Sequence, residues 1–159
     1  MKVLVVYYSR SGNTKKVAQA ISNAFKCDIE EINDTANRKG IIGWLFAGRD
    51  GMKKNLTKIK DVLKDLGSYD TVIIGGPIWS WSLSAPVRTF LMQYKDQLKN
   101  VAFFCTEGGA GAENAFRSME EITEKRPVAK LVVKELEVKT GRYPAKVSGF
   151  VDEIRTGRA

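Results

Sequence analysis

The sequence predicts an α/β fold: a doubly wound, five-stranded parallel sheet with helices on both faces. Short, largely apolar runs such as Asp70–Gly75 and Val101–Thr106 suit strands buried on both sides, without the alternation of a half-exposed sheet. Between these runs lie segments whose apolar residues recur at the 3.6 period of a helix. The two kinds of segment alternate along the chain, and such alternation means right-handed βαβ units.

The first strand is the apolar opening of residues 3–14, which breaks after Tyr8 into hydroxyls, a glycine and an amide. Thr14 to Phe25 follows as a helix, with Val17, Ala18, Ile21, Ala24 and Phe25 on one face. Cys27–Ile32 reads as a short second strand, and Asp70–Gly75 as a third, closed by glycines. Ser84–Leu98 is a helix behind a Ser84 cap, with Pro86 in the first turn where proline is tolerated. Val101–Thr106 is the fourth strand, Glu113–Glu124 a helix, Leu131–Val138 the last strand and Pro144–Ile154 the last helix. Asn33–Lys58 is irregular, mixing Ile41, Ile42, Trp44, Leu45, Phe46 and Met52 with Arg38, Lys39, Arg49, Lys53 and Lys54. Such a basic amphipathic segment can lie on a membrane surface or meet a partner, but covering the sheet within the second crossover is the favoured reading.

At 159 residues and 43% hydrophobic content, one domain with a sizeable core is expected. No run of roughly 18 apolar residues occurs, so no membrane span is expected, and Met1 leads straight into a strand, so a cytoplasmic location is expected. Cys27 and Cys105 are too few for a disulfide framework and too far apart for a metal motif, and read as reduced core residues. The sequence contains no histidine, which removes the commonest general base and metal ligand; redox or group-transfer chemistry would fall to a cofactor. Lys and Arg outnumber Asp and Glu by 26 to 18, a formal charge of +8 that attracts anionic partners. No aromatic-interleaved basic stretch or zinc-finger spacing supports nucleic-acid binding.

In doubly wound sheets the ligand sits beyond the carboxyl ends of the strands, where strand order reverses. Three polar segments fall at such ends: Ser9–Thr14, Pro77–Ser84 and Thr106–Gly111, adjacent if the strand order is 2-1-3-4-5. The first precedes a helix N-terminus, where unpaired N–H groups and the helix dipole favour an anion. Ser9, Ser11, Asn13 and Thr14 add side-chain donors and Gly12 lets the backbone curl, so the segment reads as a phosphate cradle.

Ser9-Arg10-Ser11-Gly12-Asn13-Thr14 resembles the FMN phosphate loop of the flavodoxin family, and Gly75-Gly76-Pro77-Ile78-Trp79 resembles its flavin-contacting second loop. The resemblance extends over essentially the whole chain. It implies FMN as cofactor, with Ser9, Ser11, Asn13 and Thr14 at the phosphate and Arg10 in the variable place of the motif. It also implies Trp79, or in its stead Trp81, against one flavin face, and Pro77, Ile78 and Ser80 at the ring edge. The third segment, Thr106-Glu107-Gly108-Gly109-Ala110-Gly111, has no tyrosine to cover the outer face and looks more like the third loop of flavodoxin-like reductases. There Gly108, Gly109 and Gly111 would let the backbone approach the ring, and Glu107 would disfavour an anionic reduced flavin if it lies by the pyrimidine end, or do little if it points to solvent. The resemblance leaves two functions open. One is a carrier passing electrons between redox proteins, here with an acidic partner; the other is an FMN-dependent NAD(P)H or quinone reductase. The carrier is the favoured reading, and the sequence sets no oligomeric state.

Overall fold

The computed structural model describes residues 1–36, 40–52 and 55–157. Val3–Tyr7 forms β1, Asp28–Glu31 β2, Thr71–Trp79 β3, Ser82–Leu83 β4, Asn100–Glu107 β5 and Lys130–Lys134 β6. The helices are α1 (Asn13–Phe25), α2 (Gly40–Met52), α3 (Ala85–Tyr94), α4 (Ala112–Thr123), α5 (Glu135–Thr140) and α6 (Pro144–Thr156). Five strands pair in parallel in the order β2-β1-β3-β5-β6, and β4 turns back antiparallel on the end of β3. Counting the parallel strands alone, this is the doubly wound order 2-1-3-4-5.

Each central strand is buried on both faces, which explains its unbroken apolar sequence. Leu4, Val6, Val72, Ile74, Val101 and Phe103 point to the layer holding Phe90 and Leu91 of α3 and Phe116 and Met119 of α4. Val3, Val5, Ile73, Ala102 and Phe104, the alternate positions, point to Val17 and Ile21 of α1 and Phe150 and Val151 of α6. Phe90, Phe103, Phe104 and Phe116 are fully enclosed, each worth roughly 1.5–3 kcal/mol relative to exposure.

Four expected elements differ. The third strand does not close at its glycines but runs on to Trp79. A Cβ at Gly75 would sit 2.3 Å from the Phe104 ring, and one at Gly76 2.5 Å from Val87, so these glycines make room for the layers on either side. The polar segment after β3 is a hairpin, with Trp79 paired to Ser82 and both turn residues at positive φ, 47° for Ser80 and 59° for Trp81. Leu131–Val138 is strand only to Lys134; there the Glu137 carboxylate accepts the Lys134 N–H at 2.8 Å, a capping contact that starts α5 and outweighs the apolar alternation. The crossover read as irregular contains α2.

Ser84 stands at the N-cap of α3, yet its buried Oγ makes no capping bond. Arg38, Lys39, Lys53 and Lys54 lie outside the described residues, and for Trp44, Phe46 and Met52 the backbone alone is described. Cys105 is buried and Cys27 half-buried, and neither is in a disulfide. Among the described residues, no helix is long and apolar enough to cross a membrane.

Candidate functional site

A cleft of about 300 Å³ opens at the carboxyl ends of β1, β3 and β5. Arg10, Ser11, Asn13 and Thr14 line it from the first loop, Pro77, Ile78, Trp79 and Ser80 from the end of β3, and Thr106 from β5. Leu45, Ala47 and Arg49 of α2 and Glu135 at the start of α5 complete the wall.

The first loop is shaped by Ser9. Its Oγ accepts the Gly12 N–H at 3.1 Å and the Lys15 N–H at 3.2 Å, folding the loop over itself. Gly12 is the N-cap of α1 at φ 96°, a backbone state that costs an L side chain energy even though a Cβ would meet nothing there. The first helical bond runs from the Lys16 N–H to the Gly12 carbonyl. Among the described residues, the N–H groups of Ser11, Asn13 and Thr14 meet no protein acceptor, so the positive end of α1 presents a cluster of donors to the cleft. At the back of the cradle the hydroxyls of Thr14 and Thr106 lie 2.7 Å apart, both side chains buried. One proton serves that bond, and the second hydroxyl keeps its own for another acceptor.

The opposite wall is apolar and aromatic. Trp79 is buried, its ring edge-on to Tyr8 at 5.6 Å and 89°, which fixes the indole plane. Trp81 is 65% exposed and does not line the cleft. The turn that carries it packs on the third loop: a Cβ at Gly111, whose φ is 121°, would lie 2.5 Å from the Trp81 Cα and 2.8 Å from the Ile78 Cγ2. The glycine at 111 thus admits the neighbouring hairpin.

Glu107 is buried away from the cleft wall. Its carboxylate accepts the Ala112 N–H at 3.0 Å at the head of α4 and pairs with the Lys134 ammonium, which also donates to the Gly109 carbonyl. Its charge is thereby matched inside the third loop. Ser9 and Gly12 shape the cradle from behind, and Gly108 and Gly109 are exposed beside it; Gly108 abuts the Glu135 carboxylate, 3.5 Å from where a Cβ would stand. Leu45, Ala47, Arg49 and Glu135 were not foreseen as site residues. The excess length and basic-apolar mixture of the second crossover was the available signal for the first three, whereas Glu135 was hidden by the strand pattern running through it.

Tyr7 lies behind the first loop and donates its hydroxyl to Glu31 at 2.9 Å. Burial, with that carboxylate beside it, pushes the phenol well above its ordinary range. Burial likewise raises the Cys105 thiol, with the Glu107 charge adding to it, so neither is ionised near neutrality. Among the described residues no group of three acidic, histidine or cysteine side chains forms a metal site.

A donor-rich helix end beside an apolar wall of Pro77, Ile78 and Trp79 suits a ligand with an anionic group at one end and an apolar group at the other. Solved proteins share this fold. A flavoprotein from Lactobacillus acidophilus NCFM, solved in complex with FMN, is 27% identical with a TM-score of 0.70, over 87% of this chain and 97% of its own. A flavodoxin from Fusobacterium nucleatum bound to FMN shares the fold at 12% identity and TM-score 0.58, over 98% of each chain. So does part of the rubredoxin oxygen:oxidoreductase from the anaerobe Desulfovibrio gigas, at 15% identity and TM-score 0.53, over 99% of this chain and 37% of that one. The flavodoxin family profile covers residues 2–142, from the residue before β1 to just beyond α5 and so across every wall of the cleft, and the chain belongs to the flavodoxin family.

Proposed function

We propose that the cleft binds FMN and that the protein passes electrons between redox partners. The observation that carries this reading is the cradle, where three unpaired N–H groups and the Thr14–Thr106 hydroxyl pair converge at the head of α1. A terminal monophosphate satisfies those donors. The first loop has no G-x-G-x-x-G turn of the kind that holds a dinucleotide pyrophosphate.

FMN, when bound, supplies one-electron and hydride chemistry that no side chain of this histidine-free protein provides. Ser11, Asn13 and Thr14 hold the phosphate, while Ser9 and Gly12 keep the loop in its curled form. Arg10 and Arg49 on the cleft wall bring positive charge to the same cavity. Trp79, Pro77 and Ile78 exclude water from one side of the ring, and the fixed indole adds stacking of about 1 kcal/mol beyond area burial. Trp81, outside the cleft, has the lesser role. Ser80 would lie at the ring's polar margin, Thr106 stays with Thr14 at the phosphate end, and Gly108, Gly109 and Gly111 shape the third loop. Glu135 offers an acceptor to the hydroxyls of the sugar-alcohol chain. Glu107, held by Lys134, contributes no unmatched charge to the ring.

The +8 charge supports an acidic redox protein as the partner. A second reading, an FMN-dependent NAD(P)H or quinone reductase, is favoured by one observation. Glycines 108 and 109 are exposed, and no aromatic side chain of the third loop covers the cleft.

Titration of apo-protein with FMN and with FAD tests the cofactor: micromolar or tighter binding of FMN in preference to FAD is expected, and none with either overturns the proposal. Anaerobic mixing with NADPH then separates the two functions. Slow bleaching of the flavin band supports the carrier, and bleaching within a turnover time of seconds supports the reductase.

A further inference from the structure

Helix α2 shows three large aliphatic side chains to solvent. At about 100° per residue, Gly43 and Ala47 fall on one side and Ile41, Ile42, Leu45 and Arg49 on the other. Gly43 and Ala47 are buried, whereas Ile41 is 81%, Ile42 71% and Leu45 58% exposed. Among the described side chains of this helix, the buried ones are the small Gly43 and Ala47 and the exposed ones include three large aliphatic residues, so the solvent side carries more apolar surface than a sheet-covering helix needs to show. Leu45 belongs both to this face and to the cleft wall, so the apolar stripe reaches the mouth of the site.

We propose that this face of α2 docks on the headgroup layer of an anionic lipid bilayer. Charge decides the occupant. The stripe continues into the exposed Arg49, the exposed Lys58 and Lys60 follow in the chain, and the protein carries a net +8. An apolar helical face set in a basic context is how interfacial helices bind, the side chains entering the acyl boundary and the cations meeting anionic headgroups. A second copy of this chain would bring a like charge of +8 against the first, which opposes self-association. An acidic protein would satisfy the charge too; what favours lipid is that the described exposed side chains are the aliphatic Ile41, Ile42 and Leu45 beside a cation, Arg49, which is the make-up of an interfacial helix. Docking this way carries the cleft mouth to the lipid surface.

The test uses the full chain with unilamellar vesicles of equal parts phosphatidylglycerol and phosphatidylcholine, against vesicles of phosphatidylcholine alone. Co-sedimentation is expected with the anionic vesicles, weaker by at least about tenfold with the neutral ones and at high salt. Ile41→Glu with Ile42→Glu should lower the partition to anionic vesicles at least about tenfold. Both positions are exposed and outside the cleft, so circular dichroism and FMN titration should be unchanged in that variant. An absence of binding to anionic vesicles, or binding that the double variant leaves intact, overturns the proposal. So does a wild-type dimer in light scattering that the double variant makes monomeric, or an acidic protein binding that the variant abolishes while vesicle binding persists.

Discussion

The hydroxyls of Thr14 and Thr106, 92 residues apart in the chain, meet at 2.7 Å in the buried back wall of the cleft. This contact ties the head of α1 to the end of β5. A double-mutant cycle of Thr14→Val and Thr106→Val should show a coupling of about 0.5–1.5 kcal/mol in unfolding free energy. FMN affinity should fall by about 1–3 kcal/mol in Thr14→Val, since a hydroxyl facing a phosphate is lost. Additive stabilities would show that the hydroxyls do not interact, and an unchanged Kd would place the phosphate elsewhere.

Gly111→Ala should destabilise the protein by more than about 2 kcal/mol, because the added methyl meets the Trp81 backbone at 2.5 Å and the residue is at φ 121°. Gly109→Ala, where a Cβ meets nothing, should cost less than about 0.5 kcal/mol. Chemical denaturation of the two variants makes the comparison. Equal losses would contradict the packing described for the hairpin.

Ser80→Asn with Trp81→Gly replaces two residues at positive φ by the pair that a two-residue type I′ hairpin favours. Stability should rise by about 1–2 kcal/mol. Trp79→Ala, by contrast, removes a buried ring and should cost about 3–5 kcal/mol together with flavin affinity. Thermal melts and FMN titrations of both variants distinguish the two tryptophans, and a larger affinity loss from the first pair would exchange their roles.

Among the described residues, Lys134→Met leaves the buried Glu107 carboxylate with the Ala112 N–H alone as partner. A loss of about 3 kcal/mol is expected. Adding Glu107→Gln in the same chain should recover part of it, because no charge then remains buried. If the double variant is less stable than Lys134→Met, the ion pair is not what Lys134 supplies.

Tyr69 donates its hydroxyl to Asp28 at 2.6 Å, and burial, with that carboxylate beside it, pushes the phenol up to about 12. The folded state thus favours the protonated phenol. This contribution is complete below the ordinary phenol pKa of about 10 and is lost as pH rises from there through 12. The same hydrogen bond, with Lys64 nearby, holds Asp28 below the usual carboxylate range, a contribution present above the unfolded value and lost as pH falls through the folded one. Tyr69→Phe should therefore flatten the alkaline limb of Tm against pH. An identical limb in the variant would remove Tyr69 from the account.

The sequence by itself determined the sheet and the cradle. A strand buried on both faces must be apolar throughout, and Leu4, Val6, Val72 and Ile74 announce this as clearly as Val3, Val5 and Ile73 do. The cradle was equally legible, because a strand, a curled glycine and a helix head are neighbours in the chain, and Ser11, Asn13 and Thr14 fall in place by local geometry alone. Local signals misled where two patterns overlapped, as at Lys134, where the Glu137 cap ended a strand that alternation would have carried on to Val138.

Tertiary structure decided what depends on partners far along the chain. Nothing near Glu107 in sequence announces Lys134, so a carboxylate expected beside a ligand turned out to be neutralised inside its own loop. Gly111 answers to Trp81, and Gly75 to Phe104. The exposure of Ile41, Ile42 and Leu45 on α2 was the least legible, since an apolar side chain records only that water is unfavourable, and which apolar residues of a helix are covered is decided by how the helix is set on the rest of the fold.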